Sequence, residues 1–347
     1  RETGNAQRRR GNMEKMVLKT KIRPFTLKDA QKVVDIINAY SQASYGLKDT
    51  DLDESLSDWT SPGFIPEEMA RVIEGEHGNI IGYVDVFDIM KPHVIKYVWG
   101  VMHPDHWDKE LYRSLLAWAE GYTRNRIDLA PEGARVVIQN GLRSKDHQRS
   151  AALLAYGYKP VRNYYRMVIE LDREPEQPAV INGIQIVPIH IESELEKALV
   201  AGQDGFRDHW GFVEHPTDKL MEQWEHYIET SKDFDPSLWF LAKDGDQIAG
   251  ICRNHGKMTE DPDMGWVSEL SVRKPWRKQG LGKALLLTSF NEFYRRGKKR
   301  VGLGVDATSL TNATRLYESV GMHISESSIN YEYELRPGND LTTTTLS

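Results

Sequence analysis

Residues 265–300 read GWVSELSVRKPWRKQGLGKALLLTSFNEFYRRGKKR, and this stretch decides how the rest of the chain is organised. Trp266 to Val272 is β-rich, and Pro275 closes the strand. The loop RKQGLG then runs into an amphipathic helix with Leu281, Ala284, Leu285 and Thr288 on one side and Gly297 as its stop. A strand, a glycine-bearing turn and a helix start make an anion site. The first-turn N–H groups lack intrahelical acceptors, and the helix dipole is positive at that end. Gly280 and Gly282 let the backbone approach a phosphate unobstructed, and Arg277, Lys278 and Lys283 add complementary charge. A Walker loop is a poor match, because Gly282-Lys283-Ala284 lacks the magnesium-binding hydroxyl. A dinucleotide-binding unit would place its loop near the start of a βαβ unit, whereas several strand-like runs precede this one. The plainest alternative is a tight turn with solvated lysines.

Outward from that stretch, the chain repeats itself. LDREPEQPAVING, from Leu171 to Gly183, is charged, contains two prolines and lacks helical periodicity, which marks a linker over 172–182. The flanking segments, 19–171 and 183–335, are of equal length. Each opens with a strand-like run and a helix, then a glycine hairpin around Gly78 and Gly82 or around Gly245 and Gly250. Val101-Met-His-Pro104 matches Val272-Arg-Lys-Pro275, and Leu115-Leu116 matches Leu286-Leu287 in the same register. Near the ends, Gly157 matches Gly321 and Glu170-Leu171 matches Glu334-Leu335. The reading is a duplicated α/β domain. In the first copy RKQGLG falls on His106-Trp-Asp-Lys-Glu-Leu111, which has neither glycine and carries Asp108 and Glu110. The first copy is therefore expected to be degenerate, supporting the second and sharing in an acceptor pocket.

Composition narrows the function classes. With 347 residues and 39% hydrophobic content, there is room for about two domains. No run approaches the ~20 apolar residues of a bilayer span. The single cysteine, Cys252, precludes an intramolecular disulfide and a zinc site built on several thiolates; no metal is expected, and a reducing, cytoplasmic home is the default. Residues 1–24 hold eight basic and two acidic groups, leaving a body at -12 out of a net -6. Such a body repels polyphosphate, so the expected partner is a cationic small molecule and not nucleic acid or membrane. Segments 1–18 and 336–347 read as flexible tails, and the first lacks the apolar core of a secretory signal. The basic run Arg295, Arg296, Lys298, Lys299, Arg300 reads as cations at a helix C-terminus.

Arg277-x-x-Gly280-x-Gly282 follows a strand ending Leu270-Ser271-Val272-x-x-Pro275 and precedes Ala313-x-x-Leu316-Tyr317-x-x-x-Gly321-Met322. Together these motifs resemble the GCN5-related N-acetyltransferase (GNAT) family across the whole second half. The two-domain layout, with the run Phe206-Arg-Asp-His-Trp-Gly211, resembles its tandem members of the mycothiol synthase type. The resemblance implies an α/β fold, with a mixed sheet and flanking helices in two tandem GNAT-like domains. It further implies acetyl-CoA as donor, with N–H groups of Gln279, Gly280, Leu281, Gly282 and Lys283 on its phosphates. Leu270, Ser271 and Val272 would line the pantetheine arm, and the main chain of Leu270 and Val272 would meet the pantetheine and acetyl carbonyl. Tyr317 would protonate the departing thiolate; the plain alternative is aromatic packing on a helix. Where family members often carry asparagine, seven residues before the tyrosine, this chain has Leu310, so Asn312 is the candidate amide contact.

Glu269 is the one carboxylate inside the strand, on the same face as Ser271, and is the candidate base acting directly or through water. A buried ion pair or a solvent-facing acid are its other readings. Asp208, His209 and Trp210 are candidates for an acceptor pocket or for a helix end packed on the sheet. The implied activity is N-acetylation of a primary amine, in a small molecule, by direct attack in a ternary complex. Lack of a suitable cysteine near the motifs disfavours a covalent acetyl-enzyme. A protein acetyltransferase, a non-catalytic acyl-CoA sensor and an interaction protein are the alternatives.

Overall fold

A computed structural model describes residues 20–309 and 313–345. The first half contributes β1 (Lys21–Pro24), α1 (Ala30–Tyr45), α2 (Leu52–Trp59), α3 (Pro66–Met69), β2 (Ala70–Glu74), β3 (Ile80–Phe87), β4 (Ile95–Met102), α4 (Lys109–Arg124), β5 (Val136–Arg143), α5 (His147–Tyr156) and β6 (Lys159–Glu170). The second contributes β7 (Ile184–Pro188), α6 (Ile191–Phe206), α7 (Thr217–Thr230), β8 (Phe240–Asp244), β9 (Gln247–His255), β10 (Met264–Val272), α8 (Leu281–Arg295), β11 (Arg300–Asp306), α9 (Ala313–Ser319) and β12 (His323–Arg336). The same order of strands and helices recurs, as the sequence repeat requires.

All twelve strands join one mixed sheet, in the order β1-β2-β3-β4-β5-β12-β6-β11-β10-β9-β8-β7. The last strand of each half has crossed over. β12 pairs with β5 from Ser328↔Arg143 to Arg336↔Val136, and β6 pairs with β11 from Arg300↔Glu170 to Asp306↔Tyr164. β6 and β12 then pair antiparallel with each other, placing an approximate two-fold axis between the halves. The cores follow the exchange. Met167 and Leu171 pack into the second half's core, while Tyr331 and Leu335 pack into the first half's.

Among the twelve strands described, β4–β5 and β10–β11 are the parallel pairs, and each stays in register for a few residues. β10 and β11 pair from Met264↔Arg300 to Val267↔Leu303 and then diverge. The divergence coincides with a break in register between β9 and β10 at Ser268, whose hydroxyl donates to the Arg253 carbonyl at 3.0 Å. Such irregularities twist a strand away from its neighbour. The central strands of each half are clamped between two helices, α1 and α4 or α6 and α8.

The C-terminal segment corrects an expectation. Read as an unpacked tail, residues 336–343 instead form a strap. The N–H of Asn339 donates to the Gly133 carbonyl and that of Arg135 to Asn339, both at 2.8 Å. Thr343 exchanges backbone bonds with Gly211 and Phe212, and its hydroxyl donates to the Arg207 carbonyl at 2.9 Å. Backbone pairing, to which a threonine run offers no obstacle, holds this segment. The N-terminal segment 1–18 lies outside the described residues. Residues 172–182 form no helix or strand, and Glu176 and Gln177 bond to Asn291 on α8.

Candidate active site

The opening between β10 and β11 is a cavity of about 200 Å³, walled by Glu269 and Leu270 on one strand and Leu303 to Asp306 on the other. Tyr317 of α9, His209 and Trp210 after α6, and Tyr164 of β6 complete it. The two candidate catalytic side chains thus meet in one cavity, and Tyr164 brings in the first half.

α6 lies unusually close to this strand. A Cβ on Gly202 would sit 2.7 Å from the Glu269 carboxylate, and one on Gly205 would sit 2.7 Å from Ser271 Cβ. Glycines three residues apart on one helix face therefore let α6 lie directly over Glu269 and Ser271. The Glu269 carboxylate is ion-paired with Arg253 and receives the Ser271 hydroxyl at 3.4 Å. The Arg253 guanidinium lies 4.0 Å from the Trp224 ring centroid, and burial pulls its pKa down to about 9. Sequence reading missed Arg253. Its sole signal was a cation inside an otherwise apolar strand, AGICRN.

Tyr317 is buried, and that burial raises its pKa and keeps the hydroxyl protonated. Cys252, fully buried, is pushed up to about 12 by burial and lies 3.1 Å from the Ser289 hydroxyl. It is a packed thiol and not a nucleophile. His209 also titrates low, through burial first and the Arg277 charge second. Among the described residues, no group of three or more His, Cys, Asp or Glu side chains is placed to hold a metal, and no helix is long and apolar enough to cross a membrane.

The glycine loop has the geometry of an anion cradle. Gly280 is the N-cap of α8 at φ 83°, where no side chain caps the helix, and a Cβ there would meet nothing within 4 Å. Among the described residues, no acceptor satisfies the N–H groups of Gln279, Gly280, Leu281, Gly282 or Lys283; the first bond of the helix is Ala284 N–H to Gly280. Lys278 is also left-handed, at φ 62°, which the tight turn imposes. Lys283 is exposed and reaches Glu176 at 2.9 Å.

Arg277 differs from expectation. Its Nε donates to the Val272 carbonyl at 2.8 Å, one Nη to Asp208 and the other to the Gly205 carbonyl at 3.0 Å. It bolts the end of β10 to the end of α6, with three of its five N–H donors engaged inside the protein. Against the upward push of burial, Arg277 and Lys274 hold the Asp208 carboxyl below its usual range. Asp208 is therefore part of this bolt, while its neighbours His209 and Trp210 face the cavity. Asn312 lies outside the described residues. The three arginines of the basic run are paired locally: Arg295 and Arg296 with Glu292, and Arg300 with Asp261.

A family model described as the acetyltransferase (GNAT) family matches residues 204–322, which contain the loop, the cavity strands and Tyr317. A GCN5-related N-acetyltransferase from Sphaerobacter thermophilus is 30% identical and superposes with a TM-score of 0.74, covering 94% of this chain and 98% of its own. The chain belongs to the GCN5-related N-acetyltransferase family. A tandem GNAT protein from the clavulanic acid biosynthesis pathway shares the fold at 13% identity and a TM-score of 0.68, covering 92% of this chain and 100% of its own. Saccharomyces cerevisiae N-myristoyltransferase does so at 8% identity and 0.62, covering 95% and 85%. No curated protein matches the chain. This GNAT chain thus has the tandem architecture, with the glycine loop and the tyrosine motif both in its second half.

Proposed function

We propose that the protein is an acetyl-CoA-dependent N-acetyltransferase acting on a primary amine of a small molecule, with its active site in the second half. The observation that carries this is the set of free N–H groups at the α8 start, opening beside a strand cleft that contains a protonated Tyr317. The loop would hold the pyrophosphate, and the main chain of Leu270 and Val272 would hold the pantetheine arm and polarise the acetyl carbonyl. Acetyl-CoA supplies an activated thioester. The amine nitrogen bonds to its carbonyl carbon, the C–S bond breaks, and the sulfur takes the Tyr317 proton. The acidic body supports an amine-bearing metabolite over nucleic acid or membrane, and the home is expected to be cytoplasmic.

The test is thiol release from acetyl-CoA across amines, polyamines, amino sugars, aminoacyl compounds and peptides. At least one small amine should support turnover. In Tyr317→Phe, kcat should fall by about 10²-fold or more while acetyl-CoA affinity changes little. An unchanged kcat would remove Tyr317 from its role, and binding of CoA with no release for any amine would favour a sensor.

A further inference from the structure

A proton must leave the acceptor nitrogen as the amide forms, and Glu269 is badly placed to take it. Its carboxylate is already ion-paired with Arg253, and a guanidinium contact stabilises the ionised form and weakens the base. Arg253 cannot swing aside, since it is held against the rings of Trp224 and Trp239. The same cavity holds an unused imidazole. His209 lines the same cavity as Glu269 and Tyr317, and its ring nitrogens have no hydrogen-bond partner among the described residues. Its ring packs edge-on against Phe206, with centroids 4.4 Å apart, which fixes its direction. Backbone bonds from His209 N–H to Phe206 and from Phe212 N–H to His209 hold the turn that presents it.

We infer that His209 is the general base of the transfer, and that Glu269, its charge matched by Arg253, takes no proton. The charged and titratable groups around His209 are Arg277 from the loop after β10, Asp208 on its own turn and Asp306 at the end of β11, the last held by Arg162 of β6. Tyr164, Glu269 and Tyr317 share the cavity. Burial and Arg277 favour the neutral ring, and the two aspartates oppose them. A neutral imidazole is the form a base requires. In the balanced step, taken from the neutral amine once its ammonium proton has passed to solvent, one N–H proton passes to His209, the N–C bond forms, the C–S bond breaks and Tyr317 protonates the sulfur. The imidazolium proton and the phenolate then exchange with solvent, so the enzyme returns to its starting state.

The inference rests on the acetyl-transfer reading, and the experiment separates the two. With the amine identified by the thiol-release screen, kcat is measured against pH with both substrates saturating. Wild type should show an acid limb with a midpoint below the ordinary histidine value of about 6.5. His209→Gln should lose that limb and at least 10²-fold in kcat, with the acetyl-CoA KM within about twofold. Added imidazole should restore turnover to His209→Ala, an effect no packing role would produce. Glu269→Gln should keep the limb. A limb that persists in His209→Gln, or disappears in Glu269→Gln, overturns the inference and leaves acetyl transfer standing. Absence of transfer by wild type overturns both.

Discussion

The two halves have the same strand-helix order and close the same three openings in opposite ways. At the helix start after the fourth strand, Asp108 caps α4 with bonds from the N–H groups of Glu110 and Leu111 at 2.8 and 2.9 Å. The corresponding end of α8 begins at Gly280 and is capped by no side chain. Where β10 and β11 diverge around a cavity, the matching divergence of β4 and β5 is filled by Arg149. That side chain donates to Asp146, to the Gly100 carbonyl at 3.1 Å and to the Tyr45 hydroxyl at 3.2 Å, and lies over Tyr40 and Trp99. Gly100 is the repeat partner of Ser271, and Leu153 that of Tyr317. A third contrast lies in the neighbouring strand. Aligned on Gly82 and Gly250, Asp85 falls where Arg253 stands, and burial lifts its carboxyl to about 7, with the Tyr83 hydroxyl donating at 2.9 Å. The first copy caps its helix start with its own side chain, and the second leaves the first-turn N–H groups of α8 uncapped.

Three experiments press on this contrast. Arg149→Ala should cost about 3–5 kcal/mol in denaturant unfolding, because it strands the buried Asp146 carboxylate. It should create no second acetyl-CoA site in a calorimetric titration, since Asp108 still occupies the α4 start; a two-site isotherm would break the comparison. Next in size is a pH effect. A carboxyl raised in the folded state is disfavoured once ionised, so stability should fall as pH climbs from about 4 to 7 and level off above, by on the order of 4 kcal/mol. Asp85→Asn should flatten that slope, and a slope unaltered in this variant would show that the acid sits elsewhere. Smallest is Gly280→Asp, which gives the second half a carboxylate at its helix start on a backbone that disfavours any side chain. Acetyl-CoA affinity should weaken by about 10²-fold, as two charge-assisted bonds are lost. Undiminished binding would move the phosphates away from α8.

Much of this was legible because it is local. RKQGLG, the tyrosine motif and the repeat registers are short-range patterns, and the structure places the loop at a helix start and Tyr317 in a strand cleft. The exchange of β6 and β12 was not legible. Period-two alternation identifies a strand and its buried face but carries no label for its neighbour, and the two strands end alike in Glu-Leu. The partner of Arg277 was not legible for a related reason. A cation in a phosphate loop looks available until a carboxylate 69 residues earlier, Asp208, is seen beside it. Gly202 and Gly205 were the missed clue to Glu269, since paired small residues on a helix face announce a close approach.

The crossed strands also set a schedule for synthesis. Residues up to Glu170 leave the ribosome with β5 and β6 complete, yet the strand that belongs between them, β12, ends at Arg336. At ~5–20 residues per second, those two edges wait on the order of 10–30 s for their partner. Throughout that interval the nascent first half presents two bare strand flanks, and it reaches its final form only when the second half has been made as far as β12.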